Sequence, residues 1–423
     1  MRLGFITAAL CAAIAVGLGG PAAPSRAHAQ ASAPDTYVNY WDGVANQAFT
    51  AASTSPPDGS VISAYVGIAV YDSVMAIEGG YEPFAVHVDA PRGASPEAAV
   101  AAAAHAILVH YLPAQQATVF DPAYQQSLST IPDGLAKEDG VATGEFVASV
   151  FIRERADDGF RVPVPYVTPD PPIPGVWIPT APSPPLGTYM PNMTPFSLRQ
   201  PSQFRPGGPP LLSSRRWARD YDEVKEIGSR TSTTRTPEQT LAARFWGEAP
   251  IQQAHGSYRN FVTDHGLDIG DASRFMAMTT VVAADALIAC FDAKYHYAFW
   301  RPITAIRAGD TDGNPDTVAD PGWVHLLPAT PNHPEYPSAH ACLTPAVGLV
   351  IARFLGTREI DFTIPSLSGL GDRHYDRVSD LEYEVTNARI WGGIHYRSSV
   401  EDGTELGKKV ERQVLAHHFH RSR

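Results

Sequence analysis

Apolar residues recur along this chain at the spacing of helices. Ile62, Val66, Val70 and Val74 fall four apart within 60–77, and Gly79-Gly80 follows, so the segment reads as one helix with a stop. Ser95-Pro96-Glu97 sets a capping hydroxyl before a proline at the first helical position, and Pro113 closes that element. Thr236-Pro237-Glu238-Gln239 has the form of a capping box, in which the hydroxyl accepts from a free amide and the Gln reaches back, ahead of an apolar 241–246. From Asp271 an apolar helix continues through Phe275, Met276, Val282, Ala286 and Ile288 towards Lys294. There is no strand series with regular alternation and no internal repeat, so the expected class is all-α.

The first residues change the picture of what the mature chain is. Arg2, an apolar run over 3–19 and then Ala27-His28-Ala29 predict a signal peptide over 1–29 and an exported chain, periplasmic or extracellular. The run is short for a membrane span, and the later Ala-rich stretch 98–112 carries His105 and His110, so no membrane anchor is expected. Residues 30–423 read as a single helical domain. Of the 38 prolines in the full sequence, many crowd into 162–210, where Pro171-Pro172, Pro184-Pro185 and Pro209-Pro210 remove donors and disfavour helix. With Tyr166, Trp177 and Tyr189 interleaved, that stretch reads as an irregular wrap packed on the surface.

A formal net charge of −12 is opposite to the basic footprint of nucleic-acid binding and favours a small-molecule partner. Loss of a leader removes Cys11 and leaves Cys290 and Cys342, enough for one bridge in an oxidising compartment but not for a disulfide scaffold.

Three segments gather cations, a hydroxyl and histidines in this acidic chain. In Lys294-Tyr295-His296-Tyr297-Ala298-Phe299-Trp300-Arg301-Pro302, seven residues is nearly two helical turns, so Lys294 and Arg301 are expected on one face, with Pro302 ending the helix near Arg301. An ammonium beside a guanidinium suits a tetrahedral oxyanion; taken alone, the pair is read as readily as surface cations backed by core aromatics. In His333-Pro334-Glu335-Tyr336-Pro337-Ser338-Ala339-His340, a small hydroxyl residue and a small neighbour let backbone amides approach an anion, and His340 can exchange protons beside it. The plainer reading is a turn opening a helix capped at Thr344-Pro345. In Asn387-Ala388-Arg389-Ile390-Trp391-Gly392-Gly393-Ile394-His395, a helix break at the glycines lets Arg389 and His395 converge. A neutral imidazole can ligate a metal or attack phosphorus, although a buried core histidine is the commoner role.

In order, these segments match K-x6-R-P, P-S-[GA]-H and R-x5-H, and the chain resembles the vanadium-dependent haloperoxidase and type 2 phosphatidic acid phosphatase (PAP2) superfamily. Stretches 65–81, 195–210 and 234–246 are similar to its bacterial haloperoxidase-like branch. The resemblance implies a helical bundle of the vanadium chloroperoxidase and acid phosphatase type, with a conserved-fold core over about 235–415. It implies a vanadate cofactor held by Lys294, Arg301, Ser338, the Ala339 amide and Arg389, with His395 as the ligand to vanadium and His340 assisting proton transfer. Hydrogen peroxide, halide and a small organic acceptor would be the partners, and relatives are often homo-oligomers. His333 stands where bromide-using relatives tend to carry histidine, and Phe291 adds an apolar wall, so bromide or iodide is expected over chloride. Departures are Ala339 for a common glycine, Ala388 for a common serine, and Ser399 where an acidic residue often stands, Asp402 coming three residues later. Glu248 is a candidate to fix Arg389. A PAP2-type phosphatase with His395 as nucleophile, or a noncatalytic oxyanion-binding protein, are the alternatives.

Overall fold

The computed structural model describes residues 37–422; the expected signal peptide lies outside them. Thirteen α-helices occur among the described residues, in this order: α1 Tyr37–Ala51, α2 Pro56–Glu78, α3 Pro96–Tyr111, α4 Asp121–Ser129, α5 Leu135–Glu154, α6 Arg215–Ile227, α7 Pro237–Phe245, α8 Pro250–Asp264, α9 Ile269–Tyr297, α10 Pro302–Arg307, α11 Ala339–Leu355, α12 Val378–Trp391 and α13 Arg397–His417. The class is all-α, with one small addition. Between α11 and α12, β1 Glu359–Ile364 and β2 Arg373–Arg377 form an antiparallel pair in which Phe362 faces Tyr375. Ile360, Phe362 and Ile364 alternate inward, a period-2 pattern too short to register as a strand series.

The cap signals act where the sequence places them. Ser95 accepts from Ala98 N, and Thr236 and Gln239 complete the capping box. The helix read at 60–77 begins earlier, because Ser55 accepts from Asp58 N with Pro56 at the first position.

The centre of the bundle is α9, which packs on α2, α11 and α13. Every residue from Phe275 to Lys294 is buried, the signature of a helix that is apolar on all sides because it lies inside the core. Its one central carboxylate, Asp285, accepts from the amides of Phe196, Ser197 and Leu198, which fastens the proline-rich stretch to α9. That stretch is irregular apart from short 3-10 turns, and Trp177 and Tyr189 are buried in it.

By length and composition α2 and α9 are both apolar enough to cross a membrane, with 89% and 94% of their apolar windows buried within the protein. Their hydrophobic surface is consumed by packing on each other, which no single-helix reading reveals. Cys290 and Cys342 are both buried free thiols, without the bridge that the sequence allowed.

Candidate active site

Lys294 sits in the last turn of α9, but Arg301 does not continue that helix. Ala298 adopts a left-handed conformation (φ 44°) and its amide closes on the Lys294 carbonyl. Residues 298–300 then pair with the proline-rich stretch, Trp177 N donating to Ala298 O and Trp300 N to Gly175 O. The expectation of Lys294 and Arg301 on one continuous face is therefore overturned: cross-chain pairing competes for the backbone donors that helix would need. Pro302 opens α10, with Arg301 as its cap residue. The two cations still converge, through the turn rather than through helical periodicity.

The second segment crosses between them. Lys294 Nζ donates to the carbonyls of Pro334 (2.9 Å), Glu335 (2.9 Å) and Pro337 (2.5 Å), and Arg301 Nε donates to His333 O at 3.0 Å. These bonds clamp the loop so that Ser338 becomes the cap residue of α11 and Ala339 its first residue. Thr344-Pro345 is not the cap; Pro345 stands inside α11. The first amides of α11 have no carbonyl a turn behind them, and its positive end meets the site. The buried Ser338 hydroxyl has no hydrogen-bond partner among the described residues.

The third segment behaves as its glycines suggest. Helix α12 stops at Trp391, Gly393 takes φ 79°, and Ile394 N returns to Arg389 O. His395 then lies between α12 and α13, with Nε2 3.3 Å from Arg301 NH1, whose nitrogen also donates to Ile394 O. Arg389 is held by the Trp246 carbonyl, not by Glu248, and its Nε is buried without a partner. Glu248 instead accepts from Ser366, Ser368 and the Leu367 amide.

Sequence reasoning missed Glu335. Its Oε1 lies 2.8 Å from His395 Nδ1 and accepts from Tyr396 N at 3.1 Å, supplying from the second segment the carboxylate absent at Ser399. Asp402 accepts a hydrogen bond from the Tyr336 hydroxyl instead. The available signal was an acidic residue embedded among prolines and aromatics, three positions before Ser338. With Nδ1–H directed at Glu335, the Nε2 lone pair of His395 is left for a ligand.

Charge and burial do not balance in this place. Lys294, Arg301 and Arg389 are 0%, 0% and 3% exposed. Burial depresses all three, Lys294 to about 8, Arg301 to about 10 and Arg389 to about 9. Guanidinium groups keep their protons in proteins, so these shifts report poor solvation rather than neutral arginines. Glu335 is the carboxylate that faces them among the described residues, and burial raises it to about 7 against the pull of Arg301 and Lys294. His333, His340 and His395 are pushed well below the usual histidine range by burial and by the same cations, and stand neutral. Buried charge without a counter-charge is costly. The arrangement is complementary to an anion.

A cavity of about 370 Å³ opens here. His333, Ala339, His340, Arg389 and His395 border it at one end, beside Phe291, and the His333 and Phe291 rings lie 5.0 Å apart. All nine residues singled out from the sequence thus fall in or against one locus. Among the described residues no group of three or more His, Cys, Asp or Glu side chains could chelate a metal cation, whereas Ser338 Oγ and Arg389 Nε are orphaned donors suited to oxyanion oxygens.

The chain is similar to known proteins over most of its length. Residues 274–422, which hold all three segments, match the VCPO second helical-bundle domain. The chain is 25% identical to the vanadium chloroperoxidase of Curvularia inaequalis over 458 aligned positions, covering 81% of this chain and 74% of that one. Its fold is similar to that of a bacterial vanadium-dependent iodoperoxidase (TM-score 0.78, 22% identity, 91% of this chain and 96% of the other). It is also similar to a bacterial vanadium-dependent chloroperoxidase (TM-score 0.70, 20% identity, 90% and 97%). The fold is thus the helical bundle of the vanadium haloperoxidases, and the part of the chain that carries the three segments is similar to their second helical-bundle domain.

Proposed function

We propose that this protein is a vanadate-dependent haloperoxidase that oxidises halide with hydrogen peroxide to a hypohalous species, favouring bromide or iodide over chloride. The observation that carries the reading is the surplus of buried positive charge around orphaned donors. Three cations face one carboxylate raised to about 7, and Ser338 Oγ and Arg389 Nε have no partner. A tetrahedral oxyanion is the ligand that satisfies both deficits at once.

Arg389, Arg301, Ser338, Lys294 and the Ala339 amide would hold the oxygens of vanadate, and His395 Nε2 would be its nitrogen ligand. Bound there, vanadate supplies the Lewis acidity that polarises peroxide for attack by halide. The protein contributes orientation and charge. Glu335 fixes the tautomer of His395 through Nδ1, and the cations offset negative charge that gathers on oxygen. His340, neutral and bordering the cavity, is placed to take a proton from peroxide at an imidazole nitrogen.

Halide preference rests on His333 and Phe291. The Nδ1 of His333 lies 3.0 Å from Arg301 NH2, so its ring is anchored to a cation at the cavity wall while Phe291 keeps that wall apolar. A large, weakly hydrated halide loses less on entering such a niche than chloride does. Export forms part of this reading and is supported by the leader-like first 29 residues.

Peroxide-dependent bromide and iodide oxidation by the purified chain, with and without orthovanadate, tests the proposal. Turnover that requires vanadate and is competed by phosphate supports it. Hydrolysis of a phosphate monoester without vanadate, with vanadate acting only as an inhibitor, would assign the same pocket to a phosphatase. Anion binding with neither turnover would leave a noncatalytic protein.

A further inference from the structure

The oxyanion site uses neither of the two buried thiols, yet both stand one helical turn from residues that form it. Cys290 lies four positions before Lys294 on α9, and Cys342 four positions after Ser338 on α11. The Cys342 amide donates to the Ser338 carbonyl at 3.0 Å. Helices α9 and α11 pack on each other, and both cysteines are fully buried. Cys290 Sγ is 3.7 Å from the Pro337 carbonyl oxygen, the same oxygen that Lys294 Nζ approaches at 2.5 Å. The Cys342 thiol donates in turn to the Cys290 sulfur. The pair therefore meets against the loop that leads into Ser338.

On its other flank Cys342 is closed in by α13. A Cβ at Gly403 would fall 3.3 Å from Cys342 Sγ, and one at Gly407 would strike the Cys342 carbonyl, so the sulfur has little room to turn away. The two thiols also differ in character. Burial disfavours a thiolate at both. At Cys290 the Cys342 thiol, Lys294 and Arg301 outweigh burial and hold the group below its ordinary range. Burial and the neighbouring Cys290 push Cys342 well above that range. The thiolate is the reactive form of cysteine, so Cys290 is the member that meets an oxidant, and Cys342 the protonated thiol that follows.

We propose that Cys290 and Cys342 form an internal oxidation site, at which hydrogen peroxide converts the two thiols into a disulfide tying α9 to α11 beside the oxyanion pocket. In the first step a sulfur–oxygen bond forms at Cys290 and the oxygen–oxygen bond of peroxide breaks. The Cys290 proton leaves with the second oxygen as water. In the next step the Cys342 sulfur displaces the remaining oxygen from Cys290, and that oxygen departs with the Cys342 proton as a second water. Two sulfurs are oxidised and one peroxide is reduced to two waters. Only a small oxidant suits sulfurs buried this deeply. The bridge would fix the helix of Lys294 to the helix that begins at Ala339, so the two walls of the pocket could not separate. It would also stop Cys290 from climbing to a sulfinic acid, which would place a new anion in a fully buried space.

The full chain is reduced, freed of reductant and treated with hydrogen peroxide, without vanadate or halide. Catalase then removes residual peroxide, and the chain is denatured in iodoacetamide, digested and mapped by mass spectrometry. Before peroxide, Cys290 and Cys342 are both expected to be alkylated. Afterwards alkylation at both should be lost, and their two peptides should be recovered joined, two hydrogens lighter than the separate thiols. The oxidised chain should also melt roughly 2–5 °C above the reduced one, as expected for a loop-closing bridge in a large domain. In Cys342→Ser no peroxide-dependent rise should remain. Persistent alkylation at both positions, a sulfinic acid at Cys290 of the unaltered chain, or a bridge to Cys11 or between chains overturns the proposal, and so does a bridge that leaves the melting temperature unmoved. Because the assay involves neither vanadate nor halide, failure of halide oxidation would sink the haloperoxidase reading alone.

Discussion

Glu335 Oε1 and His395 Nδ1 lie 2.8 Å apart, both side chains essentially sealed from solvent, at 0% and 2% exposure. The contact joins the loop before α11 to the loop before α13 and decides which imidazole nitrogen is available. Partners of this kind typically contribute 10- to 100-fold to the affinity of the group their histidine binds. Glu335→Ala is therefore expected to weaken vanadate binding, measured by equilibrium dialysis, by about 10- to 100-fold. Glu335→Gln, which keeps an acceptor oxygen, should fall between. Unchanged affinity in both variants would remove Glu335 from this positioning role.

The surplus of positive charge predicts that oxyanions stabilise the fold. Phosphate or vanadate should raise the melting temperature in a dose-dependent way, with a gain of about 2.7 kcal/mol when the ligand stands at a hundred times its dissociation constant. Arg389→Ala removes the guanidinium whose Nε is unpaired and should flatten that dependence. A melting temperature indifferent to either anion would contradict the assignment of the site.

Helices α11 and α13 pack tightly at Gly407, where a Cβ would run into the Cys342 carbonyl and lie 3.4 Å from the Ala346 methyl. Since the obstacle is backbone, it cannot swing aside. Gly407→Ala is expected to destabilise the protein by about 1–3 kcal/mol, the usual range for overpacking a filled core, read as a shift in the denaturant midpoint. An unchanged midpoint would mean that the two helices separate without cost.

His418 contributes to the pH dependence of stability, as the buried histidines of the site do. Its ring stacks on Phe84 at 4.2 Å, and burial, aided by His417 and His420, lowers its pKa to about 4. The folded value lies below the unfolded value near 6.5, so between these limits the unfolded chain binds more protons and folding weakens as pH falls. Stability contributed by the neutral ring is present above about 6.5 and is lost progressively towards pH 4. Melting curves from pH 7 to 4.5 should show a smaller acid shift for His418→Gln than for the unaltered chain. Identical acid shifts would locate the sensitivity elsewhere.

How much of this was legible before folding varies residue by residue. The helical class, the capping box at Thr236 and the break at Gly392-Gly393 follow from local periodicity and side-chain chemistry, whereas the joining of three separated segments in one site was expected only from resemblance to a family. Neighbouring residues determine the first three features, so the sequence alone carries them. Tertiary structure decided the rest. Arg301 left the helix of Lys294 because residues 298–300 found hydrogen-bond partners at Gly175 and Trp177, over a hundred positions away. His395 received its carboxylate from Glu335, sixty residues upstream, and Arg389 its partner from the Trp246 carbonyl rather than Glu248. Asp42, Ser63 and His255 met only because α1, α2 and α8 pack together. Such contacts depend on which long-range pairing satisfies the most buried polar groups at once, a competition settled by the whole fold and written in no single segment.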